Sequence, residues 1–305
     1  MHLTELRPRG AFSLEAAATF GFGPNAGGTP RFDGRMRIAF PVDGGCGYAG
    51  AVLTQPEPDG LVAVELHIAD GAQIEVALAQ LARIVSLDHD GEEFARVGDR
   101  DPVLGALQAA YHGQRPVLFH SPYEGAAWSI ISARRPASVA AAVRIALSEQ
   151  LGLAFELAGQ TVHAFPQPAA VLKLDSFPGL DPTKMRRLRG VAQADAELDV
   201  RYLHTLGPQR SFEHLQRLEG IGPFYAGLIV LRATGFADAM LRTAEPKVLR
   251  NAAEVYGLPV PLTLERFTEL ADHWRPFRTW ATVLIRLAGD RARREARPPM
   301  PPEPA

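Results

Sequence analysis

The segment Leu215-Gln216-Arg217-Leu218-Glu219-Gly220-Ile221-Gly222-Pro223-Phe224-Tyr225-Ala226 joins two helical runs through a corner bounded by glycines. Before the corner, Phe212, Leu215 and Leu218 recur at helical spacing. After it, Pro223 suits the first position of a new helix: its fixed φ fits there, and the N–H it lacks is one that a helix leaves unpaired. Gly220 and Gly222 are read as permitting a tight turn with positive φ and a close approach by another backbone. Ile221, between them, is expected to plug into a core and anchor the turn. The amides beyond Pro223 then point outward at the positive end of a helix dipole, an arrangement that holds a phosphate oxygen. Such a contact grips a nucleic-acid strand without reading its bases. An ordinary corner between two helices is the competing reading of the same residues.

Outward from this corner, residues 87–290 read as short helices punctuated by Gly or Pro. They are 102–111, 123–132, 137–151, 168–174, 182–194, 211–218, 223–234, 246–256, 262–273 and 277–290. A series of this kind predicts a compact body of packed helices. Residues 1–86 read differently. Ser13 is a candidate N-cap for a short helix through Phe20, and 36–42, 47–54 and 61–68 read as strands. The last alternates, with Val62, Val64, Leu66 and Ile68 on one face and Leu61, Ala63, Glu65 and His67 on the other. Gly44-Gly45 and 56–60 supply turns, which gives an antiparallel meander closed by a helix carrying Ile74, Ala77, Leu81 and Ile84. The expected fold class is α+β. A small N-terminal antiparallel α/β domain covers 1–86, an all-α domain covers 87–290, and an Arg- then Pro-rich tail over 291–305 is expected to be disordered.

The 305 residues are 47% hydrophobic and 22% charged, the balance of a soluble globular chain. No apolar run reaches the roughly 18–20 residues of a membrane span. The first ten residues lack the apolar centre of a signal peptide, so a cytoplasmic location is expected. The single cysteine, Cys46, excludes an intramolecular disulfide, a thiolate zinc cluster and an iron–sulfur cluster. No two histidines sit at ligand spacing on one helix, so no metal site is expected. Gly-x-Ser-x-Gly, His-Glu-x-x-His and a Walker loop are absent, and no glycine-rich dinucleotide fingerprint leads from a strand into a helix, which leaves a helical enzyme unrelated to nucleic acid without a constellation to support it. The net charge of −2 argues mildly against a nucleic-acid partner. The basic residues are local, however: Lys184, Arg186, Arg187 and Arg189 form one cluster, and Arg291, Arg293, Arg294 and Arg297 another. Taken alone, each such run reads as solvated surface.

In this context Leu218-Glu219-Gly220-Ile221-Gly222 resembles the Leu-Pro-Gly-Ile-Gly hairpin of the helix-hairpin-helix DNA glycosylase superfamily. Further segments resemble its DNA-3-methyladenine glycosylase II branch. Trp274-Arg275-Pro276-Phe277-Arg278 is similar to a Trp-Lys-Pro-Trp-Arg segment that opens the last helix, and Phe165-Pro166-Gln167-Pro168 to a Phe-Pro-Thr-Pro that precedes another. Phe177-Pro178-Gly179-Leu180, followed by Lys184 and Arg186-Arg187, resembles a Gly-Leu…Lys-x-x-x-Leu stretch of that branch. The α/β unit has a counterpart there as well, so the resemblance reaches to about Asp290.

The resemblance implies base release from damaged double-stranded DNA by a monomer, without a membrane and without a cofactor beyond a monovalent cation at the hairpin. The family's catalytic Asp, some twenty residues beyond the hairpin, falls on Glu245. With Pro246 next to it, Glu245 is expected at a helix N-cap, where a purely structural capping role is the alternative. Gly220, Ile221, Gly222 and Phe224 fall on the DNA-gripping hairpin, and Arg134 and Arg135 on the loop that fills the gap left by a flipped base, with phosphate contact and plain surface as the competing readings of the two arginines. Phe224 stands where backbone-cutting members carry a nucleophilic lysine, and a phenyl ring forms no Schiff base. The expected activity is therefore monofunctional excision of alkylated purines. Phe224, Tyr225, Trp128 and Trp280 are the candidates to stack on an electron-poor base, with core packing the competing reading. Arg286 stands about where alkyl-base enzymes carry a tryptophan, and it would repel a cationic base. Glu245 in place of Asp keeps a second reading open, a non-catalytic DNA-binding or lesion-recognition protein on the same fold.

Overall fold

The computed structural model describes residues 1–20, 32–45 and 47–295. The alternating pattern of residues 61–68 builds strand β4 (Val62–Ala69), with Val62, Val64 and Leu66 buried and Ala63 exposed. It pairs antiparallel with β3 (Tyr48–Thr54), which pairs antiparallel with β2 (Arg35–Pro41). Thr54 lies opposite Ala63, and Tyr48 opposite both Ala69 and Pro41, so the meander is the expected one. A strand the sequence reading lacks, β1 (His2–Leu6), pairs with the free edge of β4, Leu6 opposite Val62. The sheet order is therefore β1-β4-β3-β2. Short, half-exposed and followed by Pro8 and Gly10, β1 carries little pattern of its own.

One face of the sheet packs on α1 (Leu14–Ala18) and α2 (Ile74–Ile84) through Phe12, Leu14, Phe40, Leu53, Leu81 and Ile84. Ser13 caps α1 as expected, its hydroxyl accepting from Ala16 N at 3.1 Å. The other face is covered by a hairpin the sequence reading missed, β5 (Ala154–Leu157) and β6 (Gln160–His163). It lies inside the segment expected to be wholly helical. Phe155 sits directly over Gly50, where a Cβ would stand 2.6 Å from its ring, so β3 is buried on both faces.

The helical body comprises α3 (Gly91–Arg100), α4 (Pro102–Ala110), α5 (Pro122–Ser132), α6 (Ala137–Leu151), α7 (Pro168–Leu172), α8 (Pro182–Gln193), α9 (Val200–Leu215), α10 (Pro223–Ala233), α11 (Pro246–Tyr256), α12 (Leu264–Ala271) and α13 (Arg278–Glu295). A recurring start signal sets several of them: proline at the first position behind a capping oxygen, from Asp101 for α4, Ser121 for α5 and Asp181 for α8. Helix α3 escaped the sequence reading because glycines at both 91 and 98 dilute its propensity. Its purpose there is close packing, since a Cβ on Gly98 would lie 2.9 Å from Gly105 Cα of α4. In α9 the chain breaks at Gly207 (φ 73°) and Pro208, and the two halves fold against one another, Ser211 Oγ donating to Leu203 O at 2.8 Å. Helix α13 continues to Glu295, five residues into the expected tail. Cys46, Arg297 and the remainder of that tail lie outside the described residues.

Two buried arginines tie the sheet to the helices. Arg83 of α2 pairs with Asp43 at 2.6 Å and donates to Ala233 O at 2.9 Å. Arg115 donates to the carbonyls of Arg9, Ala11, Ser86 and His89. No helix among the described residues is long and apolar enough to cross a membrane.

Candidate nucleic-acid interface

The corner between α9 and α10 is built as its sequence requires. Ile221 is only 2% exposed and joins the helical core, and its amide closes the turn onto Leu218 O at 3.0 Å. The glycines differ from the sequence reading in one respect. Gly220 has φ +92°, whereas Gly222 has φ −80° with extended ψ and needs no glycine for its conformation. At Gly222 an added Cβ would meet nothing within 4 Å, so the space in front of it is open. Pro223 begins α10, whose first main-chain bond runs from Ala226 N to Gly222 O at 2.9 Å. The amides of Gly222, Phe224 and Tyr225 donate to nothing among the described residues. They stand at a helix N-terminus, the polarity an anion requires. Phe224 projects beside them, 49% exposed and edge-on to Tyr225 at 5.3 Å. The carbonyls of Glu219 and Ile221 accept no bond from the described residues, and they are the oxygen donors a monovalent cation takes, so the loop fits that implied group.

The surroundings of the corner could not be read from sequence. Arg187 of α8 and Ile130 of α5 press on Gly220, with Arg187 Cδ 2.7 Å and Ile130 Cδ1 2.9 Å from the position of an added Cβ. Glu219, where the resembling motif has proline, holds Arg186 at 2.6 Å and Arg187 at 3.2 Å. Lys184 is turned inward and donates to Ile131 O at 2.9 Å and Ala133 O at 2.7 Å, closing the end of α5. Burial, and then Arg135, lowers the affinity of its amine for a proton. The basic cluster of α8 is thus divided: Lys184 is structural, Arg186 and Arg187 flank the glycine corner, and Arg189 turns toward Asp175 at 3.5 Å. The 182–194 helix pattern carried no signal for this division.

In the turn from α5 to α6, Arg134 is exposed and holds φ +55°, a conformation that non-glycine residues adopt at a cost. Arg135 is anchored instead, donating to Gly179 O at 2.8 Å.

Glu245 is the N-cap of α11. Its Oε2 accepts from Val248 N at 2.6 Å, and its Oε1 accepts nothing among the described residues. The carboxylate is half-exposed at the positive end of the helix. Among the other expected pocket residues, Trp128 and Trp280 are core. Trp128 packs against Phe119, and Trp280 is enclosed by Phe94 and Phe277, each at 5.2 Å, and by the Arg115 guanidinium at 5.4 Å. Trp128 is 7% and Trp280 3% exposed. Both sit at the helical spacing of their apolar neighbours, which is why sequence could not separate stacking from packing. Arg286 is ion-paired with Asp290 at 3.1 Å, and its Nε is buried without a hydrogen-bond partner among the described residues. A cavity of about 360 Å³ lies between β2, α5, α7 and the start of α9, and none of the predicted residues lines it.

No protein-family model matches the chain. In sequence it is 27% identical over 237 residues to a protein of Mycobacterium tuberculosis described as a probable bifunctional transcriptional activator/DNA repair enzyme AlkA, covering 76% of this chain and 46% of that one. The chain therefore spans about half the length of the mycobacterial relative. It is 22% identical over 210 residues to the DNA-3-methyladenine glycosylase of Bacillus subtilis, covering 65% of this chain and 67% of the other. Among solved structures, the 3-methyladenine DNA-glycosylase of Archaeoglobus fulgidus superimposes with a TM-score of 0.77 at 22% identity over 94% of this chain and 98% of its own. The 8-oxoguanine glycosylase/lyase of Clostridium acetobutylicum, bound to double-stranded DNA, superimposes with a TM-score of 0.66 at 16% identity over 96% and 99%.

Proposed function

We propose that this chain, which carries the helix-hairpin-helix DNA glycosylase fold, is a monofunctional glycosylase that releases alkylated purines from duplex DNA in base excision repair. It acts as a cytoplasmic monomer. The observation that carries this reading is the N-terminus of α10, whose amides donate to nothing among the described residues and face open space at Gly222. The amides beyond Gly222 receive a phosphate of the damaged strand, and Phe224 rests against the nucleotide beside it. Arg134, exposed in the turn after α5, enters the gap that a flipped base leaves in the stack, while Arg135 holds the turn in place.

Glu245 then acts on the extruded nucleotide. One oxygen is fixed by Val248 N, so the other has a set direction. As the C1′–N bond breaks, the base departs with the bonding electron pair and positive charge develops on the sugar. The carboxylate stabilises that charge and takes a proton from the water that adds to C1′, leaving an abasic site. An alkylated purine already carries positive charge, so it leaves neutral and demands little further help. With phenylalanine at position 224 there is no amine to form a covalent sugar adduct, and the backbone stays intact.

The test is base release from a duplex carrying an alkylated adenine, comparing wild type with Glu245→Gln. The amide retains an oxygen to cap α11, so the helix survives while the charge is lost. Release is expected to fall by at least about 10²–10³-fold with duplex affinity nearly unchanged. The cap bond itself favours a second reading, a DNA-binding protein in which Glu245 is structural only. That reading predicts duplex binding by wild type and variant alike and base release by neither.

A further inference from the structure

The cavity of about 360 Å³ noted above is of the size that encloses a small molecule, and it shares no residue with the hairpin or Glu245. Asp43 of the β2–β3 turn, Tyr123 of α5, Asp195 of the single turn of helix that precedes α9, and Asp199, Arg201 and Tyr202 at the start of α9 contribute to its wall. Three of these are carboxylates, and two have their cations. Asp43 is paired with Arg83 at 2.6 Å, and Asp199 with Arg201 at 3.0 Å while also capping α9. Asp195 is half-buried and receives neither an ion pair nor a hydrogen bond from the described residues.

A second observation points to the same place. Tyr123 is 3% exposed, lines this cavity, and its hydroxyl has no hydrogen-bond partner among the described residues. A buried, unsatisfied hydroxyl costs stability, so such groups are few in folded proteins. After burial itself, Asp195 is the first group that pushes the Tyr123 phenol away from ionisation, which places the two in one electrostatic neighbourhood. Burial, followed by repulsion from Asp199 and Asp43, raises the Asp195 carboxyl above the ordinary range. The unpartnered Asp195 carboxylate and the unpartnered Tyr123 hydroxyl on one cavity wall leave room for one positive charge and one hydrogen-bond donor. An organic cation with N–H groups supplies both, a charge opposite Asp195 and a donor for the Tyr123 hydroxyl oxygen. Tyr202, 40% exposed at the cavity wall, adds an aromatic face of the kind such cations favour.

We propose that this cavity binds a small monocationic nitrogen compound, an alkylammonium or a guanidinium, with Asp195 as its counter-ion and Tyr123 as an acceptor of one of its N–H groups. The inference is independent of glycosylase activity.

Ethylguanidinium and butylammonium chlorides, titrated into the full chain by calorimetry against sodium chloride of equal ionic strength, test it. Saturable one-to-one binding is expected, weakened at least tenfold by Asp195→Asn and at least threefold by Tyr123→Phe, with circular dichroism unchanged in both. The phenylalanine variant removes an unpaired hydroxyl without changing shape, so it stays folded and keeps the test decisive. Absence of saturable binding, or equal affinity in wild type and Asp195→Asn, overturns the proposal. Tighter binding of a blocked lysine than of butylammonium would transfer the site to a protein side chain and overturn the small-molecule assignment.

Discussion

Gly220 and Gly222 look alike in the sequence and differ in what they permit. Gly220 combines φ +92° with contacts that leave no room for a side chain, Arg187 Cδ at 2.7 Å and Ile130 Cδ1 at 2.9 Å from an added Cβ. Gly220→Ala is therefore expected to lower stability by about 1–3 kcal/mol, read as a lower urea midpoint at unchanged slope. Gly222 has ordinary φ and open space in front. Gly222→Leu should leave the urea midpoint within about 0.5 kcal/mol of wild type. It should nonetheless weaken duplex binding whatever base the duplex carries, because the leucine occupies the approach to the α10 amides. Unchanged affinity in a filter-binding or anisotropy titration would refute the role given to the hairpin.

At the scale of elements, the junction of α5 with α6 turns on one buried carboxylate. Glu124 is 2% exposed and takes both Nε and Nη2 of Arg144 from α6, Nε at 2.9 Å, while His120 Nδ1 lies 2.9 Å from its other oxygen. Burial alone would raise its pKa, yet the charges of Arg144 and His120 hold it far below the usual carboxylate range. A carboxyl depressed in the folded state contributes stability that is complete above its unfolded pKa, 4.5, and is lost as pH falls from there toward the folded value. Glu124→Gln should cost about 3–5 kcal/mol at pH 7, since it leaves a buried arginine without its counter-charge. Melting curves of the two proteins should converge progressively below pH 4.5, and a gap that stays constant down to pH 3 would contradict the assignment. The same junction sets the α5–α6 turn, because Lys184 and Arg135 fasten its ends and leave Arg134 exposed.

For the whole molecule, the net charge of −2 says little about a DNA partner, because the charges are not spread evenly. Arg186 and Arg187 flank the glycine corner, and Arg134 stands at the turn following α5, the helix whose Ile130 presses on Gly220. Glu219 partly neutralises the first two, so the footprint should be modest. Neutralisation of at most about three phosphates corresponds to a slope no steeper than about −2.7 for log affinity against log salt. A slope near zero would remove nucleic acid from the account, with or without a catalytic Glu245.

Local rules determined much of this protein directly from its sequence. The β2–β3–β4 meander follows from alternation and turn glycines, and α11 with Glu245 at its N-cap follows from Glu-Pro before an amphipathic run. Ile221 as a buried anchor follows from an apolar residue held between glycines. These depend on neighbours within a few residues, which sequence lists. Tertiary structure alone decided the rest. The β5–β6 hairpin alternates too briefly to stand out, and it exists because Gly50 leaves a place for Phe155 about a hundred residues away. Trp128 and Trp280 became core because partners from other helices enclose them, and Arg186 and Arg187 found Glu219 only once α8 packed against the corner. The Asp195–Tyr123 cavity draws its wall from the sheet and three helical segments, so no local pattern announces it. Chain connectivity fixes which residues are adjacent along a helix or strand. Burial and charge pairing across elements depend on packing that forms only in the folded molecule.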